Sequence, residues 1–295
     1  MRVLVAGGTG FIGSAVARRL REAGHEVLIL SRRPRPGVAH VAGDVTDPAS
    51  LQGKLDGFEA VVDAVEFPNS PIEDPRKGWT FERVDYRGTC NLVDAARAAG
   101  VRHYVNMSGV GAAEDARYHW FRYKWMEERY IADSGIGFTN FRPSWVYGPA
   151  DNSLNRFLSF ARWLPFVPVV GDGRTRVNPV FVEDVAAHVE AAVAKGPANR
   201  TFEIGGPEVL TMDEVIRTAL RVAGKRRFLL HQPKPVMKAL AAVLQFAPGP
   251  LRLTPDAVEF ITQDAVADIG PLQEAFGLRL TPLEEALRSY LGART

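Results

Sequence analysis

An apolar run, Val3-Leu4-Val5-Ala6, passes directly into Gly7-Gly8-Thr9-Gly10-Phe11-Ile12-Gly13, and this junction restricts the fold more than any other stretch. Apolar residues at Ile12, Val16 and Leu20 within Phe11 to Ala23 have the spacing of a helix lying on a sheet. Gly24 is a natural stop, and a second apolar strand, Val27-Leu28-Ile29-Leu30, follows it. Two buried-type strands joined by a helix begin a parallel βαβ unit. Glycine at every third position allows a tight turn, close approach to a pyrophosphate and close helix–strand packing. The helix N-terminus adds free N–H groups and positive dipole. A tight turn without a ligand is the alternative. The strand–turn–helix context favours a dinucleotide cradle built from Gly7, Thr9, Gly10, Phe11, Ile12 and Gly13.

Further strands are expected at His40 to Ala42, Ala60 to Val65, Tyr104 to Met107, Phe138 to Phe141 and Thr201 to Ile204. Helical spacing separates most of them, at Phe81 to Ala99, His119 to Ser134 and Val182 to Ala194. The alternation lasts until about Pro149. Residues 150–181 then read as loops and one short helix, and the chain past Gly206 reads as helical. The expected class is α/β, a Rossmann-type doubly wound parallel sheet with a small, mostly helical C-terminal lobe. Residues 1–149 and 182–205 would form the nucleotide-binding domain, and 150–181 and 206–295 the lobe.

Composition narrows the function classes. Lys plus Arg number 36 against 34 for Asp plus Glu, a balance that names no nucleic-acid partner. Cys90 is the single cysteine, so neither an intrachain disulfide nor a cysteine zinc cage is possible. The six histidines lack metal-ligand spacing, so no metal is expected. Val3 to Ala6 is shorter than a signal-peptide core of ~7–15 residues, and nowhere do ~18 apolar residues run together. A cytoplasmic protein without a transmembrane segment is expected.

Specificity for the adenine ribose is read where the second strand ends, and there this chain has Ser31-Arg32-Arg33 rather than an acidic residue. Arginines cannot accept from a ribose 2′-hydroxyl but suit a 2′-phosphate, so NADP(H) is expected over NAD(H). The alternative is that Arg32, Arg33 and Arg35 form a solvated turn.

Gly7 to Gly13, Gly43-Asp44-Val45, Gly88-Thr89-Cys90-Asn91, Arg142-Pro143 and Val146-Tyr147-Gly148-Pro149 occur in order, and with them the whole chain resembles the short-chain dehydrogenase/reductase superfamily, in its extended and atypical branch. Gly171-Asp172-Gly173, Asn178 to Val185 and Phe202 to Pro207 resemble the group related to the NADPH-binding accessory subunit of respiratory complex I. The resemblance implies that Asp44 meets the adenine amine and that Val45 packs beside the base. It places Ala64 and Val65 along the cofactor, and Pro143 and Val146 near the nicotinamide. As bare residues, Asp44 could equally cap the helix after Pro48, and the valines could be core.

Relatives with carbonyl chemistry use a Tyr four residues before a Lys, plus a Ser ending the preceding strand. The Lys then binds ribose and lowers the phenol's pKa. In Tyr118-His119-Trp120-Phe121-Arg122-Tyr123-Lys124 the Lys is Lys124, and the Tyr position holds Trp120. An indole N–H donates but cannot serve as an acid, so Trp120 is expected to orient a carbonyl. Tyr118, swinging in from a loop, is the candidate substitute acid, and Ser108 the candidate carbonyl donor. His119 is given no role.

Glu183 and Asp184 sit at a helix start, where capping accounts for them better than metal or acid–base work. Asp63 and Glu66 are candidates for the same metal or acid–base work. Pro235 to Phe246 is apolar nearly all round and too short to cross a bilayer. A buried helix of the lobe is the preferred reading, with peripheral membrane contact or a pocket cover as alternatives. Three functions follow from these residues: a reductase of a small carbonyl or quinone-like acceptor, an NADP(H)-binding scaffold or sensor docking on a protein assembly, and, more weakly, a nucleotide-sugar epimerase or dehydratase. The chain would be a monomer or a homodimer.

Overall fold

The computed structural model describes residues 1–33, 37–247 and 252–292, so Arg35 lies outside the described residues. The first half alternates as its periodicity requires: β1 (Arg2–Ala6), α1 (Phe11–Glu22), β2 (Glu26–Ser31), β3 (His40–Ala42), β4 (Ala60–Asp63), α2 (Arg87–Ala98), β5 (His103–Met107), α3 (His119–Asp133) and β6 (Gly137–Pro143). A short β7 (Val146–Tyr147), α4 (Leu154–Trp163), β8 (Phe166–Val170), β9 (Arg176–Val177) and β10 (Val180–Phe181) lead into α5 (Val182–Lys195) and β11 (Arg200–Ile204). The remainder holds β12 (Leu210–Thr211), α6 (Met212–Val222), β13 (Phe228–Gln232), α7 (Lys234–Leu244), α8 (Pro255–Ile261), α9 (Gly270–Phe276) and α10 (Leu283–Leu291).

Seven strands pair in parallel in the order β11-β6-β5-β4-β1-β2-β3. The expected doubly wound α/β fold is therefore present. The chain leaves β1 toward β2 and β3 on one side, then crosses back to β4 on the other. Ligands bind at such a switch point, beyond the carboxyl ends of the strands. β1 is buried on both faces: Val3 and Val5 join a core with Val16, Leu20 and Val185, while Leu4 and Ala6 join a second with Leu92, Tyr104 and Ile131. Helices cover both faces, which is why the strands read as unbroken apolar runs.

Several expectations change in detail. The helix expected over Phe81 to Ala99 is a π-helical lead-in, Phe81–Tyr86, followed by α2. The fourth strand ends at Asp63, so Ala64 and Val65 turn off the sheet rather than extend it. Residues 150–181 hold strands as well as a helix, and the region past Gly206 is not wholly helical: β13 pairs in parallel with β8, Phe228 opposite Phe166. Leu272 of α9 packs into the main core beside Phe141 and Phe202. Helix α7 is not buried all round; only Ala241 is fully covered. Glu183 and Asp184 lie in the first turn of α5, where their charge favours the helix dipole as expected, but neither makes a side-chain cap hydrogen bond. Glu183 pairs with Arg18, and Asp184 accepts from Thr281 N–H at 2.7 Å and Thr281 Oγ1 at 2.9 Å.

Candidate functional site

The glycine loop is set by contacts that exclude any side chain. Gly7 has φ +73°, and a Cβ there would lie 2.2 Å from the Ala64 carbonyl oxygen. A Cβ on Gly13 would lie 2.3 Å from the Gly7 carbonyl oxygen. The first contact presses the loop against the end of β4, which places Ala64 and Val65 beside the cradle. The second presses α1 onto the turn. Gly10 is the N-cap of α1, with no side chain capping it, so the first-turn N–H groups of Phe11, Ile12 and Gly13 have no intrahelical acceptor. Thr9 and Gly10 are exposed at the mouth. This set of free donors on a positive helix end suits a pyrophosphate.

The segment expected to meet the adenosine half lies past β2. Ser31 Oγ donates to the Arg33 carbonyl at 2.8 Å, closing a turn that leaves Arg32 and Arg33 exposed. Neither arginine has an ion-pair partner among the described residues. Asp44 does not cap the short helix after Pro48; Asp47 does, accepting from Ala49 N–H at 3.2 Å. Asp44 Oδ1 accepts from Thr46 N–H at 2.9 Å and Thr46 Oγ1 at 2.8 Å. Val45 is buried in the core, its carbonyl accepting from Asn91 Nδ2 at 2.8 Å.

At the end expected to face the nicotinamide, Pro143 ends β6 and its carbonyl accepts from Val110 N–H at 3.1 Å, just past Ser108. Val146 pairs with Val180, and a Cβ on the nearby Gly148 would lie 3.3 Å from the Phe11 ring. That contact brings the 146–148 turn against the start of α1. Ser108 and Trp120 are both buried, and neither Ser108 Oγ nor Trp120 Nε1 has a hydrogen-bond partner. Buried donors without partners are uncommon.

Lys124 reaches back from α3 into an acidic nest. Its Nζ lies 3.2 Å from Glu127 Oε1 and 3.3 Å from Asp85 Oδ1, and donates to the Met107 carbonyl at 3.4 Å. Glu127 and Asp85 are fully buried, and burial pushes Glu127 up to about 8 and Asp85 up to about 7 against the opposing pull of Lys124. Burial disfavours the Lys124 ammonium, but Glu127 and Asp85 outweigh it and hold the lysine charged well above its ordinary value. One cation thus faces two buried carboxyls whose ionisation burial opposes and Lys124 favours. Asp63, by contrast, is saturated: Tyr104 and Thr89 hydroxyls donate to Oδ2 at 2.7 and 3.0 Å, and Val65 N–H to Oδ1 at 3.1 Å. It ties β4 to β5 and α2, and no His, Cys, Asp or Glu cluster suited to a metal exists among the described residues.

Tyr118 is the N-cap residue of α3, and its ring stacks on Trp120 at 4.6 Å and 7°. Its hydroxyl donates to Glu259 Oε2 of α8 at 2.8 Å. Burial and Glu259 both push the phenol up, opposite to what a proton donor at neutral pH needs. The structure therefore brings Lys124 to the end of β5 beside Ser108, packs Trp120 in an aromatic cluster with Phe67 and Phe81, and turns the Tyr118 hydroxyl toward α8. Asp85, Glu127 and Glu259 were not singled out from the sequence. Glu127 stands three residues after Lys124, a pairing distance on a helix, but Asp85 and Glu259 reach the site only through tertiary packing.

The family model described as "NAD dependent epimerase/dehydratase family" matches residues 3–119 and 121–205. Among curated relatives, photosystem II assembly factor Ycf39 of Synechocystis sp. is 26% identical over 99% of this chain and 91% of its own length. Mitochondrial NADH dehydrogenase (ubiquinone) 1 alpha subcomplex subunit 9 of Arabidopsis thaliana is 26% identical over 91% of this chain and 71% of its own. A (4-alkanoyl-5-oxo-2,5-dihydrofuran-3-yl)methyl phosphate reductase of Streptomyces griseus is 34% identical over 76% of this chain and 74% of its own. Among solved structures, a UDP-glucose 4-epimerase of Thermus thermophilus in complex with NAD superposes with a TM-score of 0.74 at 22% identity, each chain fully covered. The glycine cradle at the switch point, the ordered motifs and the family match agree, and the chain belongs to the NAD dependent epimerase/dehydratase family.

Proposed function

We propose that the protein is an NADP(H)-dependent reductase of a small carbonyl or quinone-like acceptor, working without the family's tyrosine. The observation that carries this is the end of β5, where buried Ser108 Oγ has no hydrogen-bond partner and Lys124 Nζ donates to the Met107 carbonyl, with Trp120 Nε1, four residues before Lys124 on α3, likewise buried and unpartnered. Bound NADPH would supply a hydride, and Arg32 and Arg33 would hold its 2′-phosphate while the first turn of α1 holds its pyrophosphate. Ser108 and Trp120 would donate to the acceptor oxygen as negative charge develops on it. Lys124 would bind the nicotinamide ribose. The proton that completes the reduction would come from the Lys124–Glu127–Asp85 cluster, where two raised carboxyls beside one ammonium retain a proton near neutral pH. One hydride and one proton convert a carbonyl to an alcohol, or a quinone to its hydroquinone. A quinone demands less of the acid, because its reduced anion is more stable than an alkoxide.

A second reading, an NADP(H)-binding scaffold or sensor without turnover, draws on Trp120 filling the tyrosine position and on the names of the relatives, one a subunit of a respiratory complex and one an assembly factor. A nucleotide-sugar epimerase or dehydratase is the weakest, since those reactions generally rely on the missing tyrosine. NADPH fluorescence on adding protein, followed by quinones and small carbonyls, separates the first two. Enhancement and then decay with an acceptor supports the reductase. Binding without decay across the series supports the scaffold.

A further inference from the structure

Helix α7 is built inside out. Val236, Leu240 and Val243 fall within an arc of ~60° on the helical wheel, and they are 60%, 46% and 70% exposed. Phe246, just past the helix, is 81% exposed. About half a turn away lie Lys234, Lys238 and Ala241, packed toward α8, where both lysines pair with Glu259 at 2.8 and 2.7 Å. The charged side of the helix is turned inward and the apolar stripe outward, the reverse of a helix that stabilises a soluble lobe.

The surroundings extend this surface and give it a sign. β13 runs directly into α7 and exposes Phe228 and Leu230. Arg227 Nε donates to the Ala161 and Leu164 carbonyls, which fixes the end of α4 beside β13, and there Trp163 is 77% exposed under the Arg162 guanidinium. From Lys225 to Pro255 the chain has no Asp or Glu. Arg162, Lys225, Arg226 and Arg227 have no carboxylate partner among the described residues, although the whole chain is nearly neutral. Pairing this face with a second copy would set like charges against each other. An anionic surface that also accepts apolar side chains relieves both problems.

We propose that α7 and the outer face of β13 form a docking surface for an anionic lipid bilayer, the α7 stripe entering the headgroup–acyl boundary and the unpaired cations meeting lipid phosphates. The mode is peripheral: α7 lies in the plane of the interface and does not cross it. None of these residues belongs to the nucleotide cradle or is given a role in the proposed reduction, so the proposal is independent of the reductase reading.

Co-sedimentation of the full chain with vesicles tests this directly. Vesicles of equimolar phosphatidylglycerol and phosphatidylcholine should pellet the protein at low salt. Pure phosphatidylcholine should not, and raised salt should release it. The exposed double variant Leu240→Asp, Val243→Asp should weaken partitioning by at least about tenfold, since two apolar side chains that would enter the boundary become carboxylates facing anionic lipid. NADPH affinity and circular dichroism should stay at wild-type values, which shows that the variant is folded. Equal pelleting with neutral vesicles, no pelleting at all, or a folded variant that partitions like the wild type would overturn the proposal. So would a concentration-dependent dimer in sedimentation velocity that the double variant abolishes, because it would assign the stripe to a second copy.

Discussion

Arg32 and Arg33 are exposed with no ion-pair partner among the described residues, which leaves both available for the 2′-phosphate of the proposed NADP(H). A charge-assisted bond to a 2′-phosphate contributes ~1.5–3 kcal/mol, roughly ten- to a hundredfold in affinity. Arg32→Ser with Arg33→Ser should therefore raise the NADPH Kd by that factor and leave the NADH Kd nearly unchanged. Equal loss for both cofactors in a fluorescence titration would show the pair to be a solvated turn. The buried carboxyls give a second residue-scale test. Glu127 sits at about 8 in the folded chain against an ordinary 4.5. A raised carboxyl contributes stability that is present below its unfolded pKa and lost as pH rises through its folded pKa. Wild type should therefore lose Tm relative to Glu127→Gln between about pH 4.5 and 8. Subtracting the variant removes contributions such as that of His103, which burial lowers to about 4. The groups facing Glu127 are Lys124 on its own helix, Asp85 before α2, Asp63 of β4 and Asn106 of β5. A Tm difference that is flat with pH would show Glu127 to be ionised throughout.

At the scale of elements, the junction of β1 and α1 was the most legible part of the sequence, because the same residues encode strand, turn and helix and their contacts enforce it. Gly13→Ala sets a methyl 2.3 Å from the Gly7 carbonyl oxygen and 2.7 Å from its carbon, both backbone atoms that cannot rotate away. A loss of ~1–3 kcal/mol in a urea melt is expected, with weakened NADPH binding, because the cradle must open to admit the methyl. A wild-type midpoint would mean that the turn yields at no cost. Other elements were hidden for physical reasons. β13 follows the basic run Lys225-Arg226-Arg227 and pairs with β8, remote in sequence, so no local alternation announces the pair. The acidic nest was equally illegible: Asp85 lies in the π-helical lead-in, and only the packing of that segment on α3 brings its carboxyl to Lys124. Ser108 and Lys124 were readable because each closes a motif. Glu127 reads in isolation as a solvated helix position.

Across the whole molecule, Tyr118 links the first turn of α3 to the C-terminal lobe, since its hydroxyl donates to the same Glu259 that receives Lys234 and Lys238 of α7. These contacts hold that carboxylate down at about 2. Trp120 lies against the Tyr118 ring on one side and Phe260 of α8 on another, so the residue in the tyrosine position is clamped between the start of α3 and α8. Tyr118→Phe separates the two roles open to this residue. As a tie between lobe and site, its loss should leave NADPH Kd and the fold unchanged, raise KM for the acceptor more than it lowers kcat, and speed amide exchange in α7 and α8. As the proton donor, its loss would cut kcat by at least ~100-fold with little change in exchange. The hydroxyl is already committed to Glu259 and its proton is held more tightly than in free tyrosine, so the first pattern is expected. A collapse of kcat with exchange unaltered would return Tyr118 to the chemistry and reduce the Lys124–Glu127–Asp85 cluster to a structural role.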